Sequence, residues 1–380
     1  MMLHKNTFPM VSLSFLIVTL LSSGCQKSRP VGSEASPIAE SVSIVVATPT
    51  PQSPFSFGFA PAQYDNVIYA YQLNRATGEI LPTAQASIPT QTLPISSAIS
   101  ADHHYLFAAN YSSNSISSYS VNSDNGELAL ITHFALPASS APGWLSSHPA
   151  LPVLYVANSG TGTIAVLDVD RNGGLSLRNL VAAGSGVTSF AINAAGTVLF
   201  SAEQSLNQVS SFDVDSAGGL SLSHTFAMAA NTQPNQLELS KSGRFLYTAN
   251  WGTSSVSAFL VHGDELSSLG PDVNAGGAVF TVNISPDEKF AYAMQPYSKQ
   301  YSMHAIAADG SLGAAVIRAK AGAVWMTFWS QFAFLTSWTY NPAGLSIESH
   351  ANDSIEGAGT AALFSGAPHR GQYQMTILDP

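Results

Sequence analysis

The sequence predicts an all-β fold, a seven-bladed β-propeller with about four antiparallel strands in each blade. One pattern recurs from Phe55 onward: a strand that ends in Asn or a similar residue, a short Ser- and Gly-rich turn, and a second, alternating strand. The strand ends of the clearest copies are 48, 45, 47 and 45 residues apart, at Asn110, Asn158, Glu203, Asn250 and Gln295. A period of this length with several short strands per copy is typical of propeller blades.

The first and last copies of the pattern are incomplete. Pro61 and Ser337 take the strand-end position in these two copies, which brings the total to seven. The first copy lacks its first strand. We expect the C-terminal segments 361–364 and 373–378 to supply strands that close the ring, because closure removes exposed sheet edges.

The composition excludes one large class of partners. Charged residues make up 9% of the chain, and 13 basic against 23 acidic residues give a formal net charge of −10. Lys and Arg form no cluster or stripe that could follow a phosphate backbone, so nucleic acid is not an expected partner.

The N-terminus is typical of an exported lipoprotein. Lys5 precedes an apolar run, Phe8 to Leu21, that is too short to span a bilayer comfortably and therefore predicts a signal peptide. The run leads into Leu-Leu-Ser-Ser-Gly and then Cys25, the only cysteine. This stretch resembles the bacterial lipobox, although Ser22 stands where Leu is usual.

The lipobox resemblance divides the chain into three parts. Residues 1–24 are the expected signal peptide, residues 25–53 a Ser- and Pro-rich spacer, and residues 54–380 the propeller domain. Lipidation of Cys25 implies a membrane contact through the lipid anchor only, in the periplasm, at the outer membrane or at the cell surface. It also leaves no thiol for catalysis or for a disulfide.

The repeated Leu-Tyr-Val-Ala-Asn motif at Leu154–Asn158, followed by a Ser/Gly turn and an alternating strand, carries a family resemblance. It resembles the bacterial propeller family that includes 6-phosphogluconolactonase and the fungal muconate-lactonizing cyclase. The resemblance covers residues 55–340 and implies a lactonase-like fold. It does not fix the activity, because one fold hosts many functions.

The catalytic residues that this resemblance implies are mostly replaced. The family places His, Arg and Glu side chains at the top of the channel, and the matching segments here read Gly143-Trp144, Gly186–Ser189 and Gln233–Asn235. By strict register Gln204 takes the place of the family's Glu. Of the set only Glu203, one residue earlier, can remain, and this requires a shifted turn. The protein therefore lacks the arginines that would bind the phosphate of a phosphorylated lactone.

A second group of residues predicts a ligand site on one rim of the propeller. Several residues just after the strand ends, or opening inner strands, are aromatic or carry amides, as does the strand-end residue Gln295. We expect seven of these residues to bind a ligand: Tyr111, Trp144, Gln204, Asn235, Trp251, Gln295 and Trp338. Aromatic rings in rim turns suit a flat or sugar-like ligand. Packing between neighbouring blades is the alternative interpretation of the same rings.

Three functions remain open from the sequence. The first is a binding or scaffolding module whose ligand or partner, an unidentified small molecule, glycan or protein, lies at the aromatic rim. The second is a lactone hydrolase with Glu203 as general base and Gln204 or Asn235 as hydrogen-bond donors. The third is a structural envelope protein.

No cofactor or metal is expected. Asp168–Gly173 matches the start of a calcium loop, but the twelfth position is Asn179 instead of Glu. We interpret this segment, and the similar one at Asp213–Gly219, as turns between strands.

Overall fold

The computed structural model describes residues 54–77, 79–319, 323–329, 332–337, 345–349 and 376–378. The predicted signal peptide, Cys25, the spacer, segment 361–364 and Trp338 lie outside these residues. Strands make up almost all of the described structure, and the only helical elements in it are two short 3-10 turns, Gln204–Leu206 and Pro296–Ser298. No helix in this part of the chain is long and apolar enough to span a bilayer.

The strands are grouped by sheet. The first sheet contains β1 (Phe55–Ala62), β2 (Val67–Asn74) and β3 (Ile80–Pro89). The second contains β4 (Pro94–Ile99), β5 (Tyr105–Asn110), β6 (Ser115–Val121) and β7 (Leu128–Ala135). The third contains β8 (Pro142–Ser147), β9 (Val153–Asn158), β10 (Thr163–Val169) and β11 (Leu175–Ala182). The fourth and fifth contain β12 (Val187–Ile192), β13 (Val198–Glu203), β14 (Gln208–Val214) and β15 (Leu220–Ala227); and β16 (Pro234–Leu239), β17 (Phe245–Asn250), β18 (Ser255–His262), β19 (Glu265–Ser268) and β20 (Val273–Asn274). The last two contain β21 (Thr281–Ile284), β22 (Phe290–Gln295), β23 (Gln300–Ala305) and β24 (Val316–Ala319); and β25 (Ala323–Trp329), β26 (Phe332–Ser337) and β27 (Leu345–Ser349). The final strand, β28 (Thr376–Leu378), belongs to the first sheet.

These sheets form an all-β propeller. Six of them hold four or five strands and the sheet β25–β27 holds three, with antiparallel pairing throughout. The first strands β4, β8, β12, β16 and β21 lie against one another in succession. The prediction of an all-β propeller with about four antiparallel strands per blade is confirmed for the six larger sheets.

The C-terminal strand joins the first sheet, as the sequence predicted. β28 pairs with β1, with Phe57 opposite Leu378 and Phe59 opposite Thr376. The predicted strand-end position is wrong by one residue in the first copy. Ala62 pairs with Val67 across the turn in the first sheet, and Asn110 pairs with Ser115 at the same place in the second. Ala62, and not Pro61, therefore takes the strand-end position in the first copy.

The core lies between neighbouring sheets. One buried cluster joins Tyr155 and Val166 of the third sheet to Phe190 and Phe212 of the fourth. Each strand presents side chains to both faces, so the third, fourth and fifth sheets are covered on two sides by apolar residues. This explains why second strands such as β9 are buried along their whole length.

Side chains also link the inner strands of neighbouring sheets. The Ser189 hydroxyl accepts a hydrogen bond from the Leu237 N–H at 3.1 Å, and Oε1 of Gln236 accepts one from the Val282 N–H at 2.8 Å. An inner strand has one edge without a partner strand, and an unpaired buried N–H is costly. These polar residues satisfy that edge and fix the positions of the inner strands.

Candidate functional site

A cavity of about 400 Å³ lies where the inner strands begin, at one mouth of the ring. Its walls come from five consecutive sheets. The lining residues are Ile95, Tyr111, Gly143, Trp144, Ser159, Gly160, Gly186, Thr188, Gln204, Asn235, Gln236, Phe280 and Thr281. A volume of this size holds a small ligand of one or two rings.

An irregularity that recurs at the start of the inner strands builds this cavity. In β4, β8, β12 and β16 the pairing register skips the second residue, which is Ile95, Gly143, Thr188 or Asn235. A β-bulge of this kind turns the extra residue out of the ladder. All four skipped residues line the cavity, so the repeat directs one position per blade to the same place.

A chain of amide hydrogen bonds crosses the cavity wall. Nε2 of Gln204 donates to Oδ1 of Asn235 at 3.2 Å, and Nδ2 of Asn235 donates to the Phe280 carbonyl at 2.7 Å. Gln236, the next residue, is held by Val282 of the following sheet. Three amides from two sheets are therefore fixed before any ligand binds, which lowers the entropic cost of binding.

The cavity lining carries no charge among the residues that the structure describes. None of its thirteen residues is Asp, Glu, Lys, Arg or His. The wall instead combines three aromatic rings, Tyr111, Trp144 and Phe280, with side-chain amides and hydroxyls. Such a wall stacks on the apolar face of a ring and hydrogen-bonds to its polar groups, but it offers no ion pair to a phosphate or carboxylate.

Four of the seven residues that the sequence assigned to ligand binding lie in this one lining: Tyr111, Trp144, Gln204 and Asn235. Trp251 lies beside it, with its ring 6.1 Å from that of Phe280 and almost perpendicular to it, at 77°. Trp338 falls outside the described residues.

Gln295 is not brought to the cavity. Its side chain is fully buried, and Nε2 donates to the Ala275 carbonyl at 2.7 Å and to the Ser302 hydroxyl at 3.0 Å. Gln295 therefore holds two strands and a connection together. Its type and position resembled those of a site residue, but its side chain points into the sheet.

Glu203 occupies the same kind of buried network. Its side chain is fully buried and bonded to the hydroxyls of Ser201 and Ser210, and it does not line the cavity. Burial raises its pKa to about 8, although the hydrogen bonds oppose that shift. The carboxyl is therefore mostly protonated at neutral pH.

The corresponding asparagines show what this network does. Nδ2 of Asn110 donates to Ser115 and Ser117, and Nδ2 of Asn250 donates to Ser255 and Ser257. These asparagine amides therefore bond to hydroxyls on the next strand. Glu203 replaces the amide in this strand-end network, which ties the second strand to the third.

Glu238 is a candidate that the sequence interpretation missed. It is the only charged residue in the inner strands β4, β8, β12, β16 and β21. Oε2 of Glu238 lies 3.4 Å from Nε2 of Gln236, which lines the cavity. Burial raises the pKa of Glu238 to about 8. Its isolation among uncharged strands is the sequence signal that would have identified it.

The segment that matches the start of a calcium loop is a turn between strands, as expected. Oδ1 of Asp170 accepts hydrogen bonds from the N–H groups of Asn172 and Gly174 at 2.7 and 2.9 Å, and Asp215 makes the same contacts one sheet later. No group of three metal-ligating side chains occurs among the residues that the structure describes.

Comparison with known proteins identifies the family. The family model "Lactonase, 7-bladed beta-propeller" matches residues 50–137, 126–230 and 219–323. This chain belongs to that lactonase propeller family. No curated protein sequence matches the chain.

Solved structures agree on the fold. A proposed 6-phosphogluconolactonase from Bacteroides fragilis is 16% identical, with a TM-score of 0.75 over 87% of this chain and 100% of that one. A proposed 6-phosphogluconolactonase from Bacteroides uniformis is 17% identical, with a TM-score of 0.72 over 86% and 100%. The periplasmic gluconolactonase of Pseudomonas aeruginosa is 18% identical, with a TM-score of 0.71 over 86% and 99%. At these identities the likeness concerns the fold alone.

Proposed function

We propose that this protein is an envelope β-propeller that binds an uncharged, ring-shaped polar ligand, a sugar or a sugar lactone, in the cavity at the channel mouth. The observation that carries the proposal is the lining itself: rings, amides and hydroxyls from five sheets converge there, and none of the described lining residues is charged. If these residues served only to pack neighbouring blades together, their side chains would fill this space.

The geometry fits a ring that lies flat against aromatic residues. Trp144 and Tyr111 come from neighbouring sheets, and both line the cavity. Gln204 and Asn235 supply the polar part of the wall, and hydrogen bonds already orient their amides. A sugar presents both an apolar ring face and hydroxyl groups, so it complements both kinds of wall.

Export and attachment are part of the same proposal. A signal peptide over residues 1–24, a lipid on Cys25 and a spacer to residue 53 would hold the domain, residues 54–380, at a membrane surface. The name of the Pseudomonas aeruginosa relative, a periplasmic protein, supports an envelope location. We also propose that β25–β27 is the seventh blade, because β25 lies against β21 and β22 of the preceding sheet.

The binding test uses two exposed tyrosines. Tyr111 is 37% exposed and lines the cavity, whereas Tyr64 is 61% exposed, lies in the corresponding turn of the first sheet and does not line it. Calorimetric titration of the full chain with glucose, galactose and glucono-1,5-lactone should detect binding that Tyr111→Ala weakens about tenfold, or about 1.4 kcal/mol. Tyr64→Ala should leave it unchanged. Equal effects of both substitutions, or no binding of any of these ligands, would contradict the proposal.

A second candidate, hydrolysis of an uncharged lactone at the same cavity, is favoured by one observation: a carboxyl group, Glu238, lies next to the cavity residue Gln236. Water would attack the lactone carbonyl carbon and give a proton to a carboxylate. The ring C–O bond would then break, and the ring oxygen would take up that proton. The amides of Gln204 and Asn235 would stabilise the negative charge on the carbonyl oxygen.

Two substitutions separate the candidate bases in this reaction. Glucono-1,5-lactone hydrolysis is followed with the spontaneous rate subtracted, in Glu203→Gln and Glu238→Gln. Loss of turnover in Glu238→Gln alone, with a rate that rises with pH through about 8 in the unmodified protein, would establish the hydrolase with Glu238 as base. Loss in Glu203→Gln alone would assign the base to Glu203. Rates equal to the spontaneous one in all proteins would leave binding as the function.

A further inference from the structure

A row of aromatic rings continues from the cavity along the rim. Phe280 lines the cavity, the Trp251 ring lies 6.1 Å from it, and the Tyr297 ring lies 5.2 Å beyond, at 84° to Trp251. The three rings come from the connections that follow β17, β20 and β22. They therefore bridge the fifth and sixth sheets without a break.

The outer ring of this row is held at the surface. Tyr297 is 66% exposed, and it lies in the 3-10 turn Pro296–Ser298, whose first residue is buried. By contrast, Tyr71, Tyr119, Tyr155, Tyr247 and Tyr292 are almost completely buried. A large ring anchored at the surface beside a cavity is typical of a binding surface, since an exposed ring gains nothing from the core.

The charge around this row is low. The connections 228–233, 251–254 and 275–280 contain no charged residue, and Lys299, which ends the turn after Pro296, is the single charge in the four connections that meet here. An uncharged ligand meets no repulsion and loses no ion pair on this surface. Aromatic side chains at sugar sites act by stacking, which requires exposure of the ring and not charge.

From this continuity we propose that Trp251 and Tyr297 form a second sugar-binding subsite, so that the protein binds an uncharged oligosaccharide whose first ring enters the cavity and whose next rings lie along the rim. This inference rests on the proposed function, because the cavity holds the first ring. It extends that function from a single ring to a chain of sugars.

The test measures affinity against the number of rings. The full chain is titrated with β-1,4- and α-1,4-linked glucose oligosaccharides of one to six rings. We expect the affinity in one series to rise about tenfold from one ring to three and then to level off. Tyr297→Ala should abolish most of that rise while the affinity for glucose stays within twofold. Trp251→Ala should abolish the rise as well, and its affinity for three rings is compared with its own affinity for glucose, because Trp251 packs against the cavity residue Phe280. Tyr64→Ala is the matched control and should retain the full rise.

The outcomes separate this inference from the proposed function. Glucose binding without a rise in either series, or a rise that survives both substitutions, would overturn the second subsite and leave the cavity proposal intact. Absence of glucose binding as well would overturn both. A stronger affinity for oligogalacturonate than for the uncharged series would also overturn the inference, because Lys299 and not the rings would then select the ligand. Thermal unfolding of each variant checks that the exposed-ring substitutions leave the fold unchanged.

Discussion

The two ends of the propeller are built from the same repeat but differ in charge. Strands alternate in direction within each sheet, so the turns after β5, β9, β13, β17 and β22 share one end with the cavity, and the turns after β4, β8, β12, β16 and β21 lie at the other. In the connections at the cavity end that the structure describes, the charged residues are Asp65 and Lys299. The other end carries charges in most of its turns, including Asp102, Asp170, Arg171, Lys241, Arg244 and Asp287.

This difference supports the proposed position of the ligand site. Both ends need turns of similar length and both need Gly or Asn at positive φ, as at Asn114 and Gly173. Turn geometry therefore does not explain why one end has lost its charges. Solubility is maintained by the charged end, whereas the uncharged end combines a cavity with exposed rings. The comparison favours a sugar ligand over a phosphorylated one.

The largest expected effect concerns Glu203, the carboxyl group buried near the uncharged end. Its pKa is raised from an ordinary value of 4.5 to about 8 by burial, so the folded state binds a proton more tightly than the unfolded chain. Stability from this group is complete below pH 4.5 and is lost as the pH rises to about 8. At 1.36 kcal/mol per unit the loss is on the order of 5 kcal/mol.

Glu203→Gln should remove that part of the pH dependence. Gln295 already occupies the corresponding position and bonds to Ser302, so a glutamine fits the network. Chemical denaturation at pH 5 and pH 8 should show a smaller difference in the free energy of unfolding than the unmodified protein gives. Glu238→Gln is the companion variant, since the pKa of Glu238 is shifted in the same direction. An unchanged difference in Glu203→Gln would mean that this carboxyl does not remain protonated.

A smaller effect is expected from placing one charge in the uncharged cavity. Asn235→Asp removes the donor to the Phe280 carbonyl and sets a carboxylate against that oxygen. The cost of an unsatisfied polar group is about 1–3 kcal/mol, so sugar affinity should fall at least about fivefold. Titration with glucose checks this, and Asn172→Asp, in a turn at the charged end, is the control. Equal affinity in both variants would show that the cavity tolerates charge.

The smallest effect is expected at the charged end itself. Asp102 is exposed and lies 3.2 Å from His104, a surface contact worth about 1 kcal/mol or less. Asp102→Asn should change neither glucose affinity nor the free energy of unfolding by more than that amount. A marked loss of sugar affinity in this variant would indicate a ligand at the charged end and would contradict the proposed site at the uncharged end.

The fold could be predicted because the strand-end residue recurs at the same place in each copy of the repeat. Asn110, Asn158 and Asn250 mark strand ends at nearly constant spacing, and burial along strands such as β9 follows from their apolar runs. The first blade showed the limit of this method. Its register was set one residue too early, at Pro61, because only cross-strand pairing identifies Ala62 as the strand end.

The site was predictable only in part, for reasons of side-chain direction. Tyr111, Trp144, Gln204 and Asn235 follow from their positions in the repeat, and they share the cavity. Gln295 stands at the strand end itself, one residue before the repeat position of Tyr111 and Gln204, and its amide bonds to Ser302. A one-residue bulge decides which side of a strand faces the cavity, and sequence alone does not reveal the bulge.

Two other residues were missed because their importance depends on neighbours from distant blades. Phe280 matters because Asn235 and Trp251 contact it from the preceding sheet. Tyr297 is one of thirteen tyrosines in the chain, and it is distinguished by its exposure together with its contact to Trp251 from the preceding sheet. Neither property has a local sequence signal.

The most direct test of the central claim compares an uncharged sugar with its phosphorylated form on the same protein. Glucose and glucose 6-phosphate, and separately glucono-1,5-lactone and its 6-phosphate, are titrated into the full chain and into Tyr111→Ala. We predict that the uncharged member of each pair binds at least tenfold more tightly and that Tyr111→Ala weakens it. Tighter binding of the phosphorylated member would contradict the account, because the lining residues that the structure describes include no cation to hold a phosphate.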